Sequence, residues 1–387
     1  MDHQDSVKYP QTTYAWYVVL VMMVFYVLSF LDRQIIAVLI EPIKAELELS
    51  DVQMSLLGGL SFTIFYSTAG IFMGRLADSL NRPFLIAVSV FVWSLTTALC
   101  GLATKFWHLL ILRMGVGLGE SALLPSTLSL LTDYFPANRR ATPTSVFLLG
   151  APLGIGLAFA VGGYLLSVAQ GISSADGWDE VILIGGMAAW KLVLLFLGVV
   201  GIIMTLALYT VREPRNISSS NTVSESNNTA ATLGEVKHYA RTYWKAIAAL
   251  YIGMGLISLA AYAQAFWDIT FLARTYNIEP TAVTFEYGMI QLFAGLSGML
   301  FGGIVSDKLR NRGLEAASFI MVIIGAVIAT PFSFLYPISE SIEASFFFMA
   351  LAIFGSNMAF ACAASALQLM YPATMIGIAA GFYYFVS

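Results

Sequence analysis

The sequence predicts an all-α polytopic membrane protein made of two related helix bundles, and three observations carry that prediction. Charged residues are 11% of the chain and hydrophobic ones 58%, whereas a soluble domain carries roughly 25% charged residues. Apolar segments of about 20 residues, long enough to cross a ~30 Å hydrocarbon core, recur from end to end. A polar stretch in the middle separates them into two sets that share a loop motif. With most charge confined to short loops, the net charge of -4 says little about partners. The expected partner on these grounds is a lipid bilayer.

The apolar segments fall at 14–40, 53–76, 84–103, 106–133, 142–168, 188–211, 244–272, 281–304, 315–336 and 344–371. The first is too long for a cleavable signal peptide and lacks a basic lead-in, so it reads as the first membrane helix. Pro42 closes it, and Ser50-Asp51 opens the second. The acidic stretch between, Glu41 to Asp51, reads as a solvated outer turn. In segment five, GAPLGIG (Gly150 to Gly156) supplies small residues for close helix contact, with Pro152 allowing a bend. After segment six, a Ser/Asn/Thr-rich stretch cannot bury a core and reads as a cytoplasmic linker over 212–242. It separates a six-helix bundle, 1–211, from a second bundle, 243–387. The sequons at Asn216 and Asn227 would face the cytoplasm and are discounted. An eleventh segment begins near Ala373 and is cut off at Ser387, so the second bundle is expected to be incomplete, with four helices and part of a fifth.

Basic residues orient the segments. Arg33 and Arg113 fall inside apolar runs, and Lys44, Lys105, Lys191 and Arg274 fall on one side. Every other Lys and Arg falls on the opposite side, together with the N-terminus. The N-terminus is therefore expected in the cytoplasm, in an inner (plasma) membrane.

Four charges need a separate account. Asp32 and Arg33 interrupt segment one within FLDRQIIAVLIEP, and Arg113 and Glu120 lie in segment four. A charge at the centre of a membrane helix costs ~3 kcal/mol or more, so each requires a partner or water. At 1.5 Å per residue the levels of Asp32 and Arg113 approach each other, and Glu120 comes near the midplane. Arg113, Gly117 and Glu120 stand at i, i+4 and i+7, one helix face. These charges could simply neutralise one another as a packing network. Alternatively, Glu120 could trade a proton against an ion pair with a movable Arg, which is the chemistry of proton coupling.

Other chemistry is thin. Cys100 and Cys362 read as buried small hydrophobes, and His3, His108 and His238 have no second ligand at metal spacing, so no metal site is expected. Gly117 to Ala122 satisfies a dinucleotide fingerprint, but with no strand before it the match is false. No nucleophile-base or phosphate-loop constellation points to an enzyme. Polar side chains in the second half, Gln264, Trp267, Gln291 and Asn357, are candidates for a substrate cavity, with helix contact an equal reading. Asp268, near an outer helix end, reads as solvated.

A repeat unites the halves. GRLADSLNR (Gly74 to Arg82) follows the second segment and GGIVSDKLRNR (Gly302 to Arg312) the eighth, each carrying Gly-x-(Leu/Val)-(Ala/Ser)-Asp-x-Leu. Parallel repeats of this kind are a transporter architecture. Gly74, Asp78, Arg82, Arg139, Arg140, Asp307 and Arg312 are read as cytoplasmic gate residues, Asp78 facing a helix N-terminus and Arg139 or Arg140.

At Gly74, Leu76, Ala77, Asp78 and Arg82 the chain resembles the major facilitator superfamily, departing from its loop signature at Ser79, Asn81 and Pro83. RMGVGLG, with Arg113, Gly117 and Gly119, is similar to that superfamily's fourth-helix motif. FLDR, GVGLGES, DYFPANRR and VREP together resemble its Spinster-like branch. The resemblance implies a major facilitator fold of twelve helices, of which the end of the eleventh and the twelfth are missing here. It also implies coupling roles for Asp32, Arg33 and Glu120, and proton-coupled transport of a lipid-like amphiphile by alternating access. The partners it implies are a small-molecule substrate, protons and the lipid bilayer, with no nucleic acid, no cofactor and a monomer as the expected unit. A neighbouring branch of organic-anion (sugar acid or carboxylate) symporters is the alternative, and a non-transporting receptor of the same fold is the alternative of another class.

Overall fold

The computed structural model describes residues 10–136, 139–175, 178, 185–214, 233–372, 375 and 383. The sequons, most of the linker and nearly all of the eleventh segment lie outside the described residues. Among the described residues, ten helices are long and apolar enough to cross a membrane. They are α1 (Thr12–Val38), α2 (Asp51–Ala77), α3 (Arg82–Cys100), α4 (Phe106–Tyr134), α5 (Thr142–Ser173), α6 (Ala189–Thr210), α7 (Trp244–Tyr276), α8 (Pro280–Asn311), α9 (Ala317–Ile338) and α10 (Ile342–Met370). In lipid no water can satisfy backbone N–H and C=O groups, so an apolar run of this length has to close its hydrogen bonds within itself as a helix.

Prolines account for the irregularities. Pro42, Pro125 and Pro152 cannot donate to the carbonyls of Val38, Ser121 and Leu148, the positions where helical hydrogen bonding would continue. The helices break at those places. α1 ends at Val38, and a short helix Ile40–Leu47 follows. α4 divides into Phe106–Glu120 and Leu123–Tyr134. α5 divides at Leu149 into Ala141–Leu148 and Gly150–Ser173. In α2 the run Leu56–Leu60, which contains Gly58-Gly59, forms a π-helical turn.

The expectation of a solvated turn over Glu41 to Asp51 is corrected. Most of it is helical, and Glu46 accepts a hydrogen bond from Trp190 Nε1 at 2.6 Å and pairs with Lys191, fastening the short helix after α1 to the start of α6. Its acidic side chains Glu46, Glu48 and Asp51 are exposed as expected. Ser50 punctuates as expected: its side chain caps Gln53 N, and the Gln53 side chain returns to Ser50 N, a reciprocal capping box.

Backbone contacts divide the chain into two compact units, Met1–Val223 with Pro280–Phe285, and Ser224–Glu279 with Glu286–Ser387. The first is centred on Val18, Met22, Phe25, Trp93, Val116 and Leu130, drawn from α1, α3 and α4. Small residues bring its helices together, because lipid offers no hydrophobic force between them. A Cβ on Gly154 would stand 2.5 Å from the Val27 carbonyl, so α5 lies directly on the α1 backbone. The second unit packs α7 against α10 through Leu250, Met254, Ala359, Ala363 and Leu367.

Candidate functional site

α1 and α4 bring the four intramembrane charges of the first unit together. Neighbours on a helix point about 100° apart, and Asp32 and Arg33 accordingly face different partners. Arg33 Nε donates to Glu120 Oε2 at 2.6 Å, and Ser29 Oγ, one turn back, donates to the same oxygen at 2.7 Å. The Arg33 guanidinium carbon lies 4.7 Å from the Phe30 and Phe62 ring centroids and 4.3 Å from that of Tyr66. Asp32 turns the other way. Its Oδ2 accepts from Thr97 Oγ1 at 2.5 Å, and its Oδ1 lies 3.9 Å from Arg113 Nη1, a looser ion pair.

Burial sets the energetic scale. Asp32 is 5% exposed, Arg113 2% and Glu120 1%, so each charge depends on its neighbours for solvation. Arg113, Gly117 and Glu120 form a buried face of α4, which presses on α2: a Cβ on Gly117 would stand 2.6 Å from the Phe62 carbonyl. That approach carries Phe62 over both guanidinium groups, 4.7 Å from Arg33 and 5.7 Å from Arg113. Glu120 ends the first half of the broken helix, where Pro125 has interrupted the ladder. Among the described residues, Glu120 Oε1, Asp32 Oδ1 and Arg113 Nε and Nη2 are buried and make no hydrogen bond to another protein group.

The residues read as a gate do not all meet. Arg82 is fully buried and is clamped by Asp133 at 2.6 Å, by Glu213 and by the Ser129 carbonyl at 2.9 Å. Glu213 also accepts from the Arg82 backbone N–H at 2.7 Å. Asp133 and Glu213 were not singled out by residue, although both lie in the stretches DYFPANRR and VREP; acidic side chains on an otherwise basic face were the available signal. Arg140 donates to the carbonyls of Phe135 and Thr132, at 2.8 and 2.7 Å, and so caps the end of α4. Arg139, Asp307 and Arg312 are exposed, and Gly74 is half-buried. The Asp78 side chain lies outside the described residues.

In the second unit, Gln291 donates to the Tyr287 hydroxyl at 2.6 Å and Asn357 to the Ile353 carbonyl at 2.9 Å, while Gln264 and Trp267 are half-buried. An apolar groove of about 550 Å³ between α7 and α9 is lined by Leu250, Met254, Val322 and Ile323, and not by Gln264, Trp267, Gln291 or Asn357. Asp268 corrects the expectation of a solvated side chain. It is 3% exposed and accepts from Tyr287 and Tyr336.

A membrane-spanning helical chain with a buried charge cluster shared between α1 and α4 has the attributes of a polytopic carrier. Residues 22–387 match the model of the Major Facilitator Superfamily, and the chain belongs to that superfamily. It resembles the Spinster-like branch. A crystal structure of a bacterial homolog of the human lysosomal transporter Spinster, inward-facing and unoccupied, superposes with a TM-score of 0.83 at 26% identity, over 97% of this chain and 80% of that one. An MFS-type efflux pump of Mycolicibacterium smegmatis is 28% identical over 81% of this chain and 67% of its own length. A sphingosine-1-phosphate transporter of Danio rerio is 26% identical over 74% of this chain and 55% of its own. The chain thus spans between about half and two thirds of the length of these two curated relatives.

Proposed function

We propose that this chain is a proton-coupled secondary transporter that moves an amphipathic, lipid-like small molecule by alternating access, with its N-terminus at the cytoplasmic face of the plasma membrane and a monomer as the working unit. The observation that carries the reading is the Ser29-Arg33-Glu120 contact beside the loose Asp32-Arg113 pair.

The chemistry follows from the partners. A proton arriving on Glu120 removes the charge that holds Arg33 Nε, and one carboxylate bond to a cation is exchanged for a neutral one. The rings of Phe30, Phe62 and Tyr66 offer the guanidinium a second attraction that does not depend on Glu120, so Arg33 can respond without being expelled from the membrane interior. Asp32 and Arg113 stand ready to rearrange, since their 3.9 Å separation exceeds a hydrogen bond. A neutral Glu120 and an ionised one therefore favour different arrangements of α1 and α4, which is the two-state element that coupling requires. The amphiphile is suggested by the Spinster-like resemblance and the sphingosine-1-phosphate transporter among the relatives.

The test is proton movement in proteoliposomes challenged with lysolipids, sphingoid phosphates and sugar acids, with Glu120→Gln alongside. Amphiphile-driven proton flux that vanishes in the variant is the expected result. Flux driven by sugar acids alone would reassign the substrate to organic anions, and substrate movement indifferent to Glu120→Gln would reduce the charges to a packing network. Binding with no transport would point to a receptor.

A further inference from the structure

The second unit contains a buried carboxylate for which the α1 and α4 site has no use. Asp268 of α7 is held from both sides: Tyr287 of α8 donates to Oδ2 at 2.8 Å, and Tyr336, at the end of α9, donates to Oδ1 at 2.9 Å. Behind Tyr287 stands Gln291, whose Nε2 donates to the tyrosine hydroxyl at 2.6 Å. Gln264, one turn before Asp268 on α7, lies beside Tyr336. Polar side chains from α8 and α9 thus converge on one carboxylate of α7.

Its charge has no counterpart. Among the described residues, Tyr287 and Tyr336 are the titratable groups that face Asp268, and no cation pairs with it. Arg274 on its own helix, Glu279 and Glu286 around the start of α8, and Glu343 of α10 are exposed. Tyrosine hydroxyls stabilise an ionised carboxylate by donating to it, yet they bring no charge, and a buried anion without a counter-ion costs several kcal/mol. If packing alone were required, a neutral amide would meet it without that cost.

We propose that Asp268 is a second proton-binding site, separate from the α1 and α4 cluster and resting on different helices. A proton fits better than a metal ion. Both tyrosine O–H dipoles direct their positive ends at the carboxylate, and the four oxygens within reach are fewer than the six or more that a hard cation gathers. The Gln291 donor holds the Tyr287 proton on Oδ2, so the incoming proton goes to Oδ1. There the new O–H donates to the Tyr336 oxygen, and the Tyr336 O–H rotates away from the carboxyl. No bond besides O–H is formed or broken, and no other reactant is required.

Infrared difference spectroscopy of the purified chain in bilayers, titrated between about pH 5 and 9 without substrate or gradient, reads this site independently of transport. The wild type should show the C=O band of a protonated buried carboxyl; Asp268→Asn should lose it and Glu120→Gln should keep it. Should Asp268→Asn fail to fold, Tyr336→Phe reports on the same group, because the carboxyl O–H on Oδ1 loses its acceptor and the C=O band changes frequency. A wild-type spectrum identical to that of Asp268→Asn, a band indifferent to Tyr336→Phe, or one abolished by adding NaCl at constant pH would overturn the proposal. Because the Glu120→Gln arm is separate, failure here leaves the coupling role of Glu120 standing, and failure of Glu120 leaves Asp268 to be judged by its own band.

Discussion

Single side chains decide how the α1 and α4 cluster behaves. Thr97 supplies the one hydroxyl bonded to Asp32 Oδ2. Thr97→Val should therefore lower stability by about 1 to 3 kcal/mol, the cost of an unsatisfied buried acceptor, read as a lower melting temperature in detergent. Arg33→Lys keeps the charge but replaces a planar guanidinium, which can lie against three rings while bonding Glu120, with a compact ammonium. Substrate-dependent proton flux should fall by about tenfold or more, as if one charge-assisted hydrogen bond of ~1.5 kcal/mol were lost. Flux at the wild-type level in Arg33→Lys would mean that geometry at this position is irrelevant to coupling.

At the level of elements, the first unit is fastened by contacts that tolerate little change. Arg82 and Glu213 join the start of α3 to the segment after α6, with side chains 1% and 5% exposed. Removing Arg82 leaves the Glu213 carboxylate buried with no counter-ion from α3, so Arg82→Ala should cost about 3 to 5 kcal/mol. Restoring neutrality in Arg82→Ala/Glu213→Gln should recover part of that loss, and a double variant as unstable as the single one would argue against the pair. Between α1 and α5, Gly154→Val places a branched side chain where the Val27 carbonyl already stands. Overpacking of that kind costs about 1 to 3 kcal/mol or drives the helices apart. Gly171, whose Cβ would meet nothing within 4 Å, is the matched control in the same helix, and Gly171→Val should be better tolerated.

For the whole molecule, the distribution of basic residues predicts which loops share a side of the membrane. Arg139, after α4, and Glu340, between α9 and α10, are exposed, whereas Cys100 and Cys362 are buried and should not react with a polar thiol reagent. In intact cells Glu340→Cys should be labelled by an impermeant maleimide, and Arg139→Cys should be labelled only after permeabilisation. The reverse pattern would invert the orientation that the positive residues predict.

Reading the chain alone was enough to see a membrane protein, to find the ten helices long and apolar enough to span among its described residues with ends within about seven residues, and to see which charges lie within them. The reason is that insertion is governed by apolar length, a quantity written along one dimension; Pro42, Pro125 and Pro152 likewise stand at breaks in the helical ladder, although α9 runs through Pro331 unbroken. The superfamily motifs were legible for the same reason, being contiguous. Only the tertiary structure decided the pairing. Depth along a helix gives a side chain's level but not which neighbour its face meets, so Arg33 goes to Glu120 while Asp32 goes to Thr97 and Arg113. The clamp on Arg82 joins residues 131 positions apart, and the tyrosines that bury Asp268 come from two other helices. Such contacts depend on how close-packed helices rotate against one another, and that rotation is set by many small side chains at once rather than by any local stretch.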